Sequence, residues 1–302
     1  MNLQDKKKKK RRAAAATATL TNNDSNEESS SDSEENASSD EDTDSVENIN
    51  VEFEAQTPVD NDFHGIKQLL LRVFLTLHLD ISELTDIIIS QSSIGSTIKI
   101  VDDEEDEIYG IVSVLSLKKY KEKTCIKELK KELLSKCKSS SHELSTKLKK
   151  LFNEKNIGFI VNERFINIPS QIAVPFHNSI WEEVEQAKSE DKLHDFDYLM
   201  LLSKTLKPSS IEPQKKEGEG SKAKKKKKQE NNSEVEYTNF EDELFFKESE
   251  LSFSYNVTEA TGLAVGGSWN FEDQTMNSYR TVMLIPTTKW KNVLTEIEKM
   301  VD

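Results

Sequence analysis

Phosphate chemistry needs glycines beside a lysine and a hydroxyl, and one stretch of this 302-residue chain approaches that pattern, Gly218-Glu219-Gly220-Ser221-Lys222. A P-loop spaces them as Gly-x-x-x-x-Gly-Lys-Ser/Thr, so that backbone amides and the lysine surround the phosphates. Here the spacing differs, and no strand signal precedes it. Gly262, Gly266 and Gly267 lack the middle glycine of a dinucleotide fingerprint. They are expected to supply turns between a strand at 251–257 and Trp269. His64, His78, His142, His177 and His194 are scattered, with no i, i+4 pair and no His-Glu-x-x-His for a metal. The carboxylates Asp102, Asp103, Glu104, Glu105, Asp106 and Glu107 run consecutively. A calcium loop alternates its ligands around a central glycine and ends on a distal glutamate, and this run does neither. It is expected to be an exposed acidic loop that meets a basic partner. No Gly-x-Ser-x-Gly nucleophile elbow occurs. The residues point to no catalytic, cofactor or metal site, and the chain is expected not to be an enzyme.

The elements that would position any site alternate between strand and helix signals. Val51, Phe53 and Ala55 alternate with polar residues, which predicts a strand. Asp60 and Asn61 offer caps for a helix with Phe63, Ile66, Leu70, Val73 and Phe74 on one face. A second helix follows Ser82. Residues 108–117 predict a strongly apolar strand, and helices follow at about 123–137 and 141–153. An interior strand at 157–161, an amphipathic helix at 170–188 and a strand at 196–203 come next. Pro175 sits near that helix's start, where proline is tolerated. The C-terminal part predicts a short helix at 240–247, strands at 251–257 and 280–285, and a closing helix with Trp290, Val293, Leu294 and Ile297. The expected fold class is α/β, a single domain with a mixed, twisted sheet flanked by helices.

Charge is unevenly distributed. The chain is 32% charged, with a net charge of −14. Residues 1–50 carry −5 and residues 207–230 carry +5, so these cancel and the remainder holds the whole −14. Asp24 to Glu47 contains eleven acidic residues, eight serines and no basic residue. Residues 1–49 are therefore expected to be a disordered acidic tail, residues 50–302 the domain, and residues 208–236 a lysine-rich disordered insertion within it. Ser25, Ser29, Ser31, Ser38 and Ser39 each precede an acid by three positions and are phosphorylation candidates for an acid-directed kinase. The runs Lys6, Lys7, Lys8, Lys9, Lys10, Arg11, Arg12 and Lys222, Lys224, Lys225, Lys226, Lys227, Lys228 suit nuclear import. Direct nucleic-acid binding is not expected, because the body is acidic and neither run interleaves aromatic residues. Cys125 and Cys137 are the only cysteines, so no disulfide framework or four-cysteine zinc site forms, as in a reducing compartment. No stretch approaches the 18 or more apolar residues of a membrane-spanning helix. The N-terminal run lacks an apolar segment, so no secretory signal is expected.

Several longer stretches carry a specific resemblance. Asn162-Glu-Arg-Phe-Ile-Asn-Ile-Pro-Ser-Gln-Ile-Ala-Val-Pro-Phe176, Asp242-Glu-Leu-Phe-Phe-Lys247, Gly266-Gly-Ser-Trp-Asn-Phe271 and Tyr279-Arg-Thr-Val-Met-Leu-Ile-Pro286 resemble signature segments of the BCCIP family. So do Asn50-Val-Glu-Phe-Glu-Ala55, Gly65-Ile-Lys-Gln-Leu-Leu70 and Glu83-Leu-Thr-Asp86. The resemblance runs from about residue 50 to the C-terminus. It implies a nuclear, non-enzymatic monomer that shuttles to the cytoplasm. Such a protein would escort a basic ribosomal protein during large-subunit assembly and serve nuclear export with transport receptors. An alternative is a scaffold for cell-cycle control and recombinational DNA repair. The resemblance also implies a fold similar to the GCN5-type acetyltransferases without the activity. None of the nine glycines has Gln or Arg three positions earlier, as the acetyl-CoA loop of that superfamily requires. Phe165, Ile166, Ile168 and Ile172 are expected in the core. Glu163 and Arg164 are expected at the surface, available to a partner, although an internal ion pair would carry the same sequence pattern.

Overall fold

Ile66, Leu69, Leu70 and Val73 recur at helical spacing, and all four are buried on one side of a helix spanning Phe63–Val73. The computed structural model describes residues 16–20, 49–91, 93–102, 104–208, 235–265, 270–271 and 274–301. In chain order the first half comprises β1 (Ala16–Leu20), β2 (Ile49–Gln56), α1 (Phe63–Val73), α2 (Ile81–Ser90), β3 (Ser96–Ile100), β4 (Gly110–Ser116), α3 (Thr124–Ser140), α4 (His142–Glu154) and β5 (Ile157–Arg164). The second half comprises α5 (Ala173–Glu190), β6 (Tyr198–Pro208), β7 (Glu236–Tyr237), α6 (Asp242–Lys247), β8 (Leu251–Asn256), α7 (Thr258–Val265), β9 (Asn270–Phe271), β10 (Gln274–Pro286) and α8 (Trp290–Val301).

The sheet runs β1-β2-β3-β4-β5-β6-β10-β8, with β7 on β6 and β9 on β10. Every described pairing is antiparallel except β5 with β6, which α5 connects as a crossover. This is a mixed α/β single domain. Its central strands β4 and β5 are buried along their whole length, because helices cover both faces. Alternation along β5 sends Phe159 and Val161 into the layer of α1 to α4, and Ile160 into the layer of α5, α6 and α8.

Local chemistry sets the boundaries. The Asp80 side chain accepts from the Glu83 amide at 3.0 Å and starts α2. Ser141 both ends α3, donating its amide to the Cys137 carbonyl at 2.8 Å, and starts α4, accepting from the Leu144 amide at 3.3 Å. Both cysteines lie buried on α3. Gly95 has φ +134°, a conformation closed to most side chains, and its amide donates to Glu183 of α5 at 2.8 Å.

Four expectations need correction. Ala16–Leu20 is a strand paired with β2, although it falls within the segment expected to be disordered. Its alternating Ala-Thr-Ala-Thr-Leu has the strand period, which the charged composition around it obscured. Gly262 lies inside α7 rather than in a turn, while Gly266, Gly267 and Trp269 lie outside the described residues. The strand expected at 280–285 extends from Gln274 to Pro286 because β6 is long enough to pair with it from Pro208 back to Tyr198. Ile166 is 76% exposed instead of in the core, while Ile168 and Ile172 are buried.

Candidate functional site

The parallel strands β5 and β6 stay paired only from Ile157↔Tyr198 to Ile160↔Leu201. Beyond that point β5 continues along β4 to Arg164, and β6 continues along β10 and takes up β7. Their carboxyl ends part, the position at which open α/β sheets commonly hold a ligand. The chain fills this gap itself. Glu241, fully buried just before α6, receives the Arg164 guanidinium at 2.5 and 2.9 Å. Asn162 donates to the same carboxylate at 3.2 Å, and His177 of α5 stands 3.5 Å away.

Burial raises the pKa of Glu241, but Arg164 outweighs it and holds the carboxyl well below its ordinary value. Its neighbour Asp242 moves the other way, because burial and the adjacent Glu241 charge push its carboxyl up. Ser203 donates to Asp242 at 2.5 Å. On the opposite sheet face Glu163 pairs with Lys204. Arg280 of β10 donates to the carbonyls of Val73 at 2.9 Å and Arg72 at 2.6 Å, closing the C-terminal end of α1.

Glu163 and Arg164 are therefore buried in ion pairs rather than offered at the surface. The reason is geometric: they sit where β5 loses β6 as a neighbour, and each needs a charge from the opposite side of the gap. Sequence reading missed Glu241, Lys204 and Arg280, whose only signal is a charge inside or beside an otherwise apolar run.

At the same end of the sheet the loop between β3 and β4 carries the acidic run. Asp102, Glu104, Glu105, Asp106 and Glu107 are exposed, and Asp103 lies outside the described residues. Asp102 and Asp106 adopt left-handed backbone (φ 60° and 52°), which folds the loop back on itself. Asp106 returns to Lys99 at 2.8 Å, and buried Lys99 also pairs with buried Asp62 at 2.8 Å. Burial alone would depress the Lys99 ammonium, but the hydrogen bonds it donates to both carboxylates leave its pKa raised. Asp106 thus anchors the loop, while Asp102, Glu104 and Glu107 remain exposed.

Between this loop, α1 and Phe165 opens a cleft of about 290 Å³. Gly65 lets Ile108 lie against α1, since a Cβ there would stand 3.0 Å from the Ile108 side chain. The Arg72 guanidinium covers the Phe165 ring at 4.6 Å. Next to Phe165, Ile166 projects into solvent. The basic runs Lys6 to Arg12 and Lys222 to Lys228, and Ser25, Ser29, Ser31, Ser38 and Ser39, lie outside the described residues.

The family model described as BCCIP matches residues 48–245. The BRCA2 and CDKN1A-interacting protein of Bos taurus is 36% identical over 265 residues, covering 84% of each chain. A protein BCCIP homolog from Drosophila melanogaster is 34% identical, covering 85% of this chain and 86% of its own. Protein BCP1 of Gibberella zeae is 30% identical over 87% and 89%. Among solved structures, BCP1 from Saccharomyces cerevisiae superposes with a TM-score of 0.55 at 20% identity, covering 85% of this chain and 92% of that one. That last likeness speaks for the fold.

Proposed function

Because the chain belongs to the BCCIP family, we propose that it is a non-enzymatic nuclear chaperone and transport adaptor for a basic client such as a large-subunit ribosomal protein. The observation that carries this reading is the acid-rimmed cleft beside Phe165 and the exposed Ile166. Glu104 and Glu107 steer a cationic client and compete with the polyanions it would otherwise bind. The cleft and Ile166 supply the apolar contact that makes a steered encounter last. Supporting the absence of an enzymatic role, the gap between the parting strands is plugged by Glu241 and Asp242, held by Arg164 and Ser203. One parallel pair within an otherwise antiparallel sheet supports a finer likeness to the GCN5-type acetyltransferases, with that gap closed.

The client would be carried between nucleus and cytoplasm, with nuclear transport receptors reading the two lysine runs. A second reading, a scaffold for cell-cycle control and recombinational repair, is favoured by the name of the Bos taurus relative, an interactor of BRCA2 and CDKN1A. Gel filtration of the full chain mixed with a basic large-subunit ribosomal protein at physiological salt tests the first reading. Co-elution that weakens steeply with added salt is expected. Separate elution of the two proteins overturns the reading.

A further inference from the structure

The body's acidity conceals a segregated charge. Residues 118–155, which span the loop after β4, both helices α3 and α4 and the turn before β5, hold 13 lysines against five glutamates. That segment is net +8, leaving −22 on the rest of the body. Its apolar side is spent on the core, through Ile126, Leu129 and Leu133 of α3 and Leu148, Leu151 and Phe152 of α4. The opposite side of α3 presents Lys127, Lys131 and Lys138, which fall within 40° of one another at 100° per residue. Lys149 and Lys150 are exposed on α4.

Some of these lysines are neutralised locally: Lys127 pairs with Glu122 at 3.0 Å, Lys147 with Glu250 at 3.1 Å, Lys123 with Glu83 and Lys155 with Asp197 at 3.6 Å, Lys119 with Asp191 at 3.9 Å and Lys150 with Glu154 at 4.0 Å. Lys118, Lys131, Lys138 and Lys149 are exposed and have no carboxylate partner among the described residues. The exposed large apolar side chains among the described residues, Leu71, Ile166, Phe246 and Met300, all lie outside this hairpin.

That combination selects the partner. A specific protein interface needs a desolvated apolar or aromatic anchor inside its polar rim, and this face has none. Nucleic-acid affinity needs no such anchor, because it comes mainly from cations that displace counterions from phosphates. Lysine acts as a point charge, without the planar fork by which arginine reads a guanine edge. We propose that the outer face of the α3–α4 hairpin binds the phosphate backbone of a nucleic acid independently of its sequence. This goes against the expectation drawn from the acidity of the whole body. Exposed charges more than about 8 Å apart are largely screened at physiological salt, so a basic face persists on an acidic molecule.

The test is a salt series of fluorescence anisotropy titrations with a labelled RNA duplex of about 20 base pairs. The full chain is compared with its K131Q/K138Q/K149Q variant. Each lost phosphate contact should lower the slope of log affinity against log salt by roughly 0.9. The triple variant should therefore lose about 2 to 3 in slope and at least about tenfold in affinity at low salt, whatever the duplex sequence. Both chains should melt at the same temperature, because the three side chains are exposed. Unchanged slope and affinity in the variant would place any binding on the other lysine runs and overturn the proposal. Displacement of the duplex by poly-glutamate at equal charge would overturn it in favour of an acidic protein partner.

Discussion

Single residues decide how the gap between β5 and β6 is closed. Arg164 and Glu241 are both buried and joined by two hydrogen bonds, so removing one partner strands the other's charge. Glu241→Gln should cost about 3 to 5 kcal/mol in urea unfolding, whereas exposed pairs such as Lys299–Glu296 should cost under about 1 kcal/mol. Asp242 gives the opposite pH signature to Glu241. Its folded-state pKa lies above its unfolded value, so the folded chain keeps a proton that the unfolded chain releases. Stability from this proton is complete below the unfolded pKa of about 3.9 and declines as pH rises toward the folded value. Asp242→Asn should flatten that decline, as read from urea midpoints measured across the mildly acid to neutral range. At this scale the sequence was least legible. Glu163 and Arg164 looked like surface charges because the run beside them is short, and only the parting of two strands shows why charges are buried there.

At the scale of elements, the junction of α1 with β10 carries the architecture of the site. Arg280 closes the last turn of α1 from a strand more than 200 residues away, through two backbone carbonyls. Arg280→Lys keeps the charge but loses the fork that reaches both carbonyls. It should destabilise the chain by about 1 to 3 kcal/mol. Faster hydrogen exchange in the last turn of α1, rather than across the whole sheet, is the local sign to measure. Helices α1, α3 and α4 were readable because their apolar residues repeat at helical spacing over three or more turns. α7 was not, since Gly262 reads as a turn residue until the helix is seen around it. β1 was missed because five alternating residues were averaged with a charged tail. The acidic run was readable as a loop, but its internal anchor was not, because Lys99 lies on β3 with the side chain turned inward.

For the whole molecule, net charge proved a poor guide to any one surface. The −14 of the body resolves into a hairpin of net +8 and −22 on the rest, which includes the acid-rimmed cleft at the end of the sheet. One face suits a basic client and the other a polyanion, so the two need not compete. The proposed client site is the cleft beside Phe165, and the variant I166S/E104Q/E107Q addresses it without touching a buried group. Ile166 and the two glutamates are exposed, so the fold should be unchanged in a thermal melt. Calorimetric titration of a basic large-subunit ribosomal protein into each chain at physiological salt is the most direct measurement. Loss of an apolar anchor, of Glu107 in the cleft wall and of Glu104 on the adjoining loop should weaken binding by about 2 kcal/mol, or roughly thirtyfold. Equal affinity for the two chains would contradict the claim and place the client elsewhere on the molecule.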